Sequence, residues 1–141
     1  MSPKQLSLIP SMFEDVAEFH RQILNQHDRA PQLLDMATMR ARMLFLNEEV
    51  NELREAALLD DIVGAADALA DLVYVALGTA YLMGLPFNDI WDAVQRANMA
   101  KQPGMTKRGM ANDAIKPEGW VGPEARIEAV IGDSLSSWQE L

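Results

Sequence analysis

Two acidic clusters carry most of the groups in this chain that could do chemistry. They are Glu48-Glu49-Val50-Asn51-Glu52 and, further on, Asp67-Ala68-Leu69-Ala70-Asp71. On a helix, residues three and four apart share a face, so Glu48 or Glu49 lies beside Glu52, and Asp67 beside Asp71. Between the clusters, Leu59-Asp60-Asp61-Ile62-Val63-Gly64 reads as a helix end, a tight turn and a new helix start. In an antiparallel pair, residues equidistant from the turn face each other. Glu49 and Asp71 are equally far from residue 60, and Glu52 and Asp67 nearly so. Four carboxylates brought that close repel and cannot all stay ionised without a cation. Hard oxygen donors on rigid helices suit Mg²⁺ or Mn²⁺.

The glutamates alone would pass for a solvated face, because Glu is a good helix former. The second cluster weighs against that. Asp67 and Asp71 are the only charges from Ile62 to Leu85, amid Ile, Val, Ala, Leu, Tyr and Met. Asp is a poor mid-helix residue, and a buried carboxylate without a partner is costly.

The elements that must hold these acids are helical. Ser11-Met12-Phe13-Glu14 is a capping box, and the helix it starts runs to about Asn25. Phe13, Val16, His20, Ile23 and Leu24 share one of its faces, so His20 is either a hydrogen-bonded core histidine or the lining of a base pocket. After a polar link over 25–31, a long helix is expected over about 33–58. Its expected core residues are Leu34, Met39, Met43, Leu46, Val50 and Leu53. A third helix spans about 62–83 and stops at Gly84, with Pro86 just beyond. A fourth, capped by Asn88 or Asp89, carries Ile90, Trp91, Val94 and Ala97 and ends near Lys101. No period-two pattern persists, so the expected class is all-α: a four-helix-bundle core over about 11–101. A basic loop and a short C-terminal helix (about 102–132) follow, in one domain of 1–141. The helix of Pro123 to Ile131 starts on proline and acid, and the tail after Gly132 is expected to fray.

Charge narrows the partners. The chain has 141 residues, 49% of them hydrophobic, and a net charge of −9, with a pI near 4.6. A mostly negative surface disfavours nucleic acid and anionic membranes. There is no cysteine, hence no disulfide, thiolate nucleophile or zinc–thiolate site, which fits a cytoplasmic protein. The N-terminus lacks a signal-peptide core. The uncharged run Leu72 to Phe87 is shorter than the ~20 residues of a membrane span, so a buried helix is expected there. The nine methionines read as gap-fillers of a core. Charge reverses only locally: Arg96, Lys101, Lys107, Arg108 and Lys116 are five of the twelve basic residues. That segment is either a solvated loop or a grip for a polyanion.

With those residues in order, the chain resembles the all-α nucleoside triphosphate pyrophosphatase superfamily, the MazG-like and dimeric-dUTPase-like enzymes. The matching motifs are Glu48-Glu49-Val50-Asn51-Glu52, the acidic pair ending in Asp71, Asn98-Met99-Ala100-Lys101, and Lys116-Pro117-Glu118-Gly119-Trp120. The likeness covers about 19–130. One position departs: the family's E-x-x-D has Ala68 in place of its glutamate, and Asp67 would substitute at i, i+4 spacing. The resemblance implies hydrolysis of a nucleoside triphosphate to the monophosphate and pyrophosphate, with two or three Mg²⁺ or Mn²⁺ ions. Glu49, Glu52, Asp67 and Asp71 would be ligands. Glu48, rotated by about 100° on its helix, would hold a further ion or accept the water's proton. Asn98, Lys101, Arg96 and Lys116 would hold phosphate oxygens. The resemblance also implies a homodimer or homotetramer and a deoxynucleotide substrate such as dUTP or dGTP. The rival readings are a phosphoribosyl-ATP pyrophosphohydrolase, a non-catalytic metal- or nucleotide-binding bundle, and a helical interaction module with acidic faces.

Overall fold

A computed structural model describes residues 11–105 and 113–141. Lys107, Arg108 and the N-terminal segment read against a signal peptide lie outside the described residues. Five helices and one small two-stranded sheet are seen among the described residues, so the chain is all-α. Its contacts divide it into two compact units, Met1–Leu85 and Pro86–Leu141.

The first unit holds α1 (Met12–Gln22), α2 (Met36–Leu58) and α3 (Ile62–Leu82), with α2 and α1 each packed on α3. Ser11 caps α1 as expected, its Oγ accepting from the Glu14 N–H at 3.1 Å. The helix ends earlier than the apolar spacing suggested. Asn25 adopts a left-handed backbone (φ 52), and the Gln26 N–H turns back to the His20 carbonyl at 2.9 Å. That early stop brings Gln26 under His20. α2 also starts later than expected, because Asp35 caps it by accepting from the Thr38 N–H at 2.9 Å. The α2–α3 turn uses Asp60 at φ 54 and Asp61, which caps α3 through the Gly64 N–H.

Two of the expected core residues of α2, Met43 and Val50, are exposed. The side of α2 that is buried carries Glu49 and Ala56, one heptad apart, with Arg42 a heptad earlier. A rule that seeks apolar residues misses a packed face that carries two charges. α3 is long and apolar enough by length and composition to cross a membrane. Here it contributes Ala68, Val75, Leu77, Ala80, Tyr81 and Leu82 to the core. Gly84 ends it at φ +68, a conformation that glycine adopts freely.

The second unit holds α4 (Phe87–Met99), β1 (Gln102–Gly104), β2 (Asp113–Ile115) and α5 (Glu124–Gln139). α4 has no side-chain cap and starts after Pro86, so its N-cap lies two or three residues before the expected Asn88 or Asp89. Of its expected stripe, Ile90 and Ala97 are buried and Trp91 is exposed, while Ala93 is buried as well. The antiparallel pairing of β1 with β2, Gln102 opposite Ile115, was not legible, since three residues are too few to show alternation. Bare Gly104 lets the Ile115 side chain lie against it. α5 runs on to Gln139 where fraying was expected after Gly132. Gly132 costs a helix only about 1 kcal/mol, and the stripe of Ile127 and Ile131 continues through Leu135 and Trp138. α5 packs on α4.

Candidate active site

The α2–α3 turn sets the register that the two acidic clusters need. Glu49, Glu52 and Asp71 each offer a carboxylate oxygen, and these oxygens all lie within 4.8 Å of one another. Glu49 is 7% exposed, and its Oε2 is buried with no hydrogen-bond partner among the described residues. Burial raises its pKa, and the charges of Glu52, Asp71 and Asp67 raise it further. Such a group either keeps its proton or takes a cation. Oxygens that close lie near the span that one ion with bonds of roughly 2.0–2.6 Å bridges, so the donor set could hold a hard divalent metal.

Not every expected acid joins this set. Asp67 is exposed and lies outside the group within 4.8 Å, though near enough for its charge to act on Glu49. Ala68, at the departing position, is 2% exposed in the core. Glu48 is exposed on α2 and, like Asp67, lies outside that group.

Glu49 and Asp71 also line a cavity of about 360 Å³ with Phe19, Phe45, Tyr74, His20 and Arg42. Small-molecule pockets usually run from roughly 300 to 1,000 Å³ with apolar and aromatic walls. His20 is 3% exposed, and its Nδ1 meets Gln26 Oε1 at 2.6 Å. Burial lowers its pKa; the Gln26 hydrogen bond opposes this and the Arg42 charge adds to it. The Arg42 Nε donates to Thr79 Oγ1 at 3.0 Å, and Nη2 donates to the Val75 carbonyl at 3.0 Å. Sequence reasoning missed Arg42 and Thr79, whereas Gln26 falls among the polar residues of 25–29 that it offers, with His20, as candidates to select the base. The heptad spacing of Arg42, Glu49 and Ala56 was the one signal available for Arg42.

In the second unit, Asn98 and Arg96 are exposed on α4, and Arg96 pairs with Asp92 at 3.2 Å. The Trp120 indole N–H donates to the Ala97 carbonyl at 2.8 Å, satisfying one of the acceptors that a helix end leaves open. Lys101 and Lys116 stand over the Trp120 ring, at 5.4 Å and 4.9 Å from its centroid. The structure therefore gathers these two lysines on one aromatic platform.

The model of the phosphoribosyl-ATP pyrophosphohydrolase family matches residues 16–98. The chain belongs to that family. The match spans both acidic clusters and ends at Asn98, before Lys101 and Trp120. It places the chain in the all-α MazG-like superfamily, while the dimeric-dUTPase-like part of the resemblance is not carried by it. No curated protein matches the chain significantly. Membership makes this protein a pyrophosphohydrolase, an acid-anhydride hydrolase acting on a nucleotide-like substrate. The non-catalytic reading gives way to it.

Proposed function

We propose that this family member hydrolyses a nucleoside triphosphate, (d)NTP plus water to (d)NMP plus pyrophosphate, with Mg²⁺ or Mn²⁺. A deoxynucleotide such as dUTP or dGTP is the proposed substrate. The observation that carries the metal-dependent reading is Glu49, buried with an unpartnered oxygen beside Glu52 and Asp71. Glu49, Glu52 and Asp71 would hold the ion, with Asp67 nearby for a second. A divalent ion at that place supplies polarisation of phosphate oxygens and neutralises charge that develops in the transition state. Glu48, exposed beside the set, would accept the proton of the attacking water. His20 would contact the substrate from the cavity wall. Lys101 and Lys116 would meet phosphate oxygens as point charges, Arg96 as a fork and Asn98 as a neutral donor. Homo-oligomerisation is part of the same reading. Met43, Leu44, Leu69 and Val73 are large apolar residues left exposed on α2 and α3, and a second copy of the chain would cover them.

The family match favours a second substrate, phosphoribosyl-ATP itself. One panel decides between them: dNTPs, NTPs and phosphoribosyl-ATP at ~1 mM, within the usual range of KM, with Mg²⁺ or Mn²⁺ and Glu49→Ala as control. Monophosphate and pyrophosphate released from one or two deoxynucleotides, and lost in the variant, are expected. Turnover confined to phosphoribosyl-ATP would overturn the deoxynucleotide assignment.

A further inference from the structure

The cavity that Glu49 and Asp71 share with three aromatic rings has a second polar wall, and its atoms are fixed more tightly than packing requires. A Cβ added to Gly78 would lie 2.6 Å from His20 Nε2 and 2.8 Å from Arg42 Nη2. Both polar groups therefore reach into space that only a glycine leaves free, and they are neighbours across it. Each is held in one orientation. Gln26 Oε1 can only accept, so the His20 Nδ1–H donates to it and Nε2 of the neutral ring is left as an acceptor. The Arg42 guanidinium is pinned by Thr79 and the Val75 carbonyl, with its charge 5.5 Å from the centre of the Phe45 ring. Its Nη1 makes no hydrogen bond to the described residues.

A fixed acceptor next to a fixed donor, on apolar aromatic walls, is the wrong pattern for phosphate. The His20 lone pair would repel an anion there, and the phosphates would be drawn instead to the ion that Glu49, Glu52 and Asp71 would hold. It is the right pattern for a planar heterocycle whose edge presents an N–H beside a carbonyl or ring nitrogen. We propose that His20 and Arg42, meeting across Gly78, read the edge of the substrate's nucleobase, whose ring lies among Phe19, Phe45 and Tyr74. They are specificity-determining residues, and bare Gly78 is what lets both polar groups take these positions on the cavity wall. This inference rests on the nucleotide pyrophosphohydrolase reading above and adds what selects the base.

The experiment measures kcat/KM over dUTP, dTTP, dCTP, dATP and dGTP for the wild type, Gly78→Ala and Arg42→Lys. The Mn²⁺-dependent rise in Tm is recorded for each. Gly78→Ala displaces both polar groups, whereas Arg42→Lys keeps the charge and loses the fork. A site built to hydrogen-bond one partner discriminates steeply, because the wrong partner leaves its buried groups unpaired. Both variants should lose about 10²-fold in kcat/KM on the preferred dNTP, mainly through KM. The ratio between preferred and poorest base should collapse toward one while the Mn²⁺ shift is retained. If Gly78→Ala does not fold, Arg42→Lys alone decides the matter. Unchanged base ratios in a folded variant that keeps its Mn²⁺ shift would overturn this inference and leave the pyrophosphohydrolase reading standing. A wild type that turns over no dNTP and gains no stability from Mn²⁺ would overturn both.

Discussion

The cavity in the first unit has two polar sides built by opposite rules. On one, Glu49 is buried with an oxygen that no protein group satisfies, amid carboxylates of its own sign. On the other, His20 and Arg42 are each tied to protein acceptors, Gln26, Thr79 and the Val75 carbonyl. A buried polar group with its partners made stabilises a fold modestly, while one without them destabilises it. The acidic side is thus in deficit until a ligand arrives, and the His20–Arg42 side has its anchoring hydrogen bonds complete beforehand. A site that binds a cation and then orients an organic group would be divided this way.

The largest effect expected follows from the deficit. Glu49→Gln removes a charge that its surroundings resist, so in EDTA the variant should melt at or above the wild-type Tm. Its turnover should fall on the order of 10³-fold, the scale of a lost electrostatic contact to the transition state. Mn²⁺ at about 100 times its Kd should stabilise the wild type by about 2.7 kcal/mol and the variant much less. A Glu49→Gln protein that melts well below the wild type in EDTA would show that Glu49 is satisfied by the fold, and the contrast would fail.

Proton linkage should divide the two sides in the same way. Glu49 has its pKa raised in the folded protein, so the folded state holds that proton more tightly than the unfolded chain. In metal-free protein its contribution favours folding at low pH and is lost as pH rises through the folded pKa. His20 has its pKa lowered, so its contribution is fully present above the unfolded value of about 6.5. That contribution is lost as pH falls through the folded pKa. Urea melts in EDTA from pH 4 to 8 should show this in two differences. The stability gap between wild type and Glu49→Gln should move against the wild type as pH rises, whereas that between wild type and His20→Phe should move against the wild type as pH falls.

Breaking the completed side should cost stability whether or not metal is present. Gln26→Leu leaves the His20 Nδ1–H without its acceptor, and an unsatisfied buried donor costs about 1–3 kcal/mol. The same loss is expected in EDTA and in Mn²⁺, because the cation does not touch this side. A loss seen only with Mn²⁺ would mean that the two sides are coupled.

The same contrast explains what could be read from the sequence. The acidic side is local: spacing of three and four within two helices, and a short turn between them, fix Glu49, Glu52 and Asp71 before any tertiary contact is known. The helix order and the caps at Ser11 and Gly84 were legible for the same reason. The His20–Arg42 side depends on events that periodicity does not encode. α1 must stop early so that Gln26 folds back, α2 must turn a charged residue inward, and Gly78 must be bare where two helices supply polar atoms. Asp67 shows the limit on the acidic side as well, since its spacing to Asp71 is right and yet its carboxylate stands outside the closest set. β1, β2 and the extension of α5 were missed because three-residue strands and a mid-helix glycine carry too little local signal.

The smallest effect tests how firmly the completed side is held. Thr79→Val keeps the side chain's shape while deleting the acceptor of the Arg42 Nε–H and the Thr79 hydroxyl's own bond to the Val75 carbonyl at 2.8 Å. The second loss matters little. The Val75 carbonyl still accepts from Arg42 Nη2 at 3.0 Å, and hydroxyl back-bonding within a helix slightly destabilises it in any case. What remains is one hydrogen bond to a half-buried cation that keeps its other anchor, about 1 kcal/mol by the usual net value. A chemical-denaturation midpoint resolves that difference. A loss of 3 kcal/mol or more, the range for an uncompensated buried charge, would mean that Thr79 alone holds Arg42 in place. The base-facing side would then be poised nearly as finely as the acidic one.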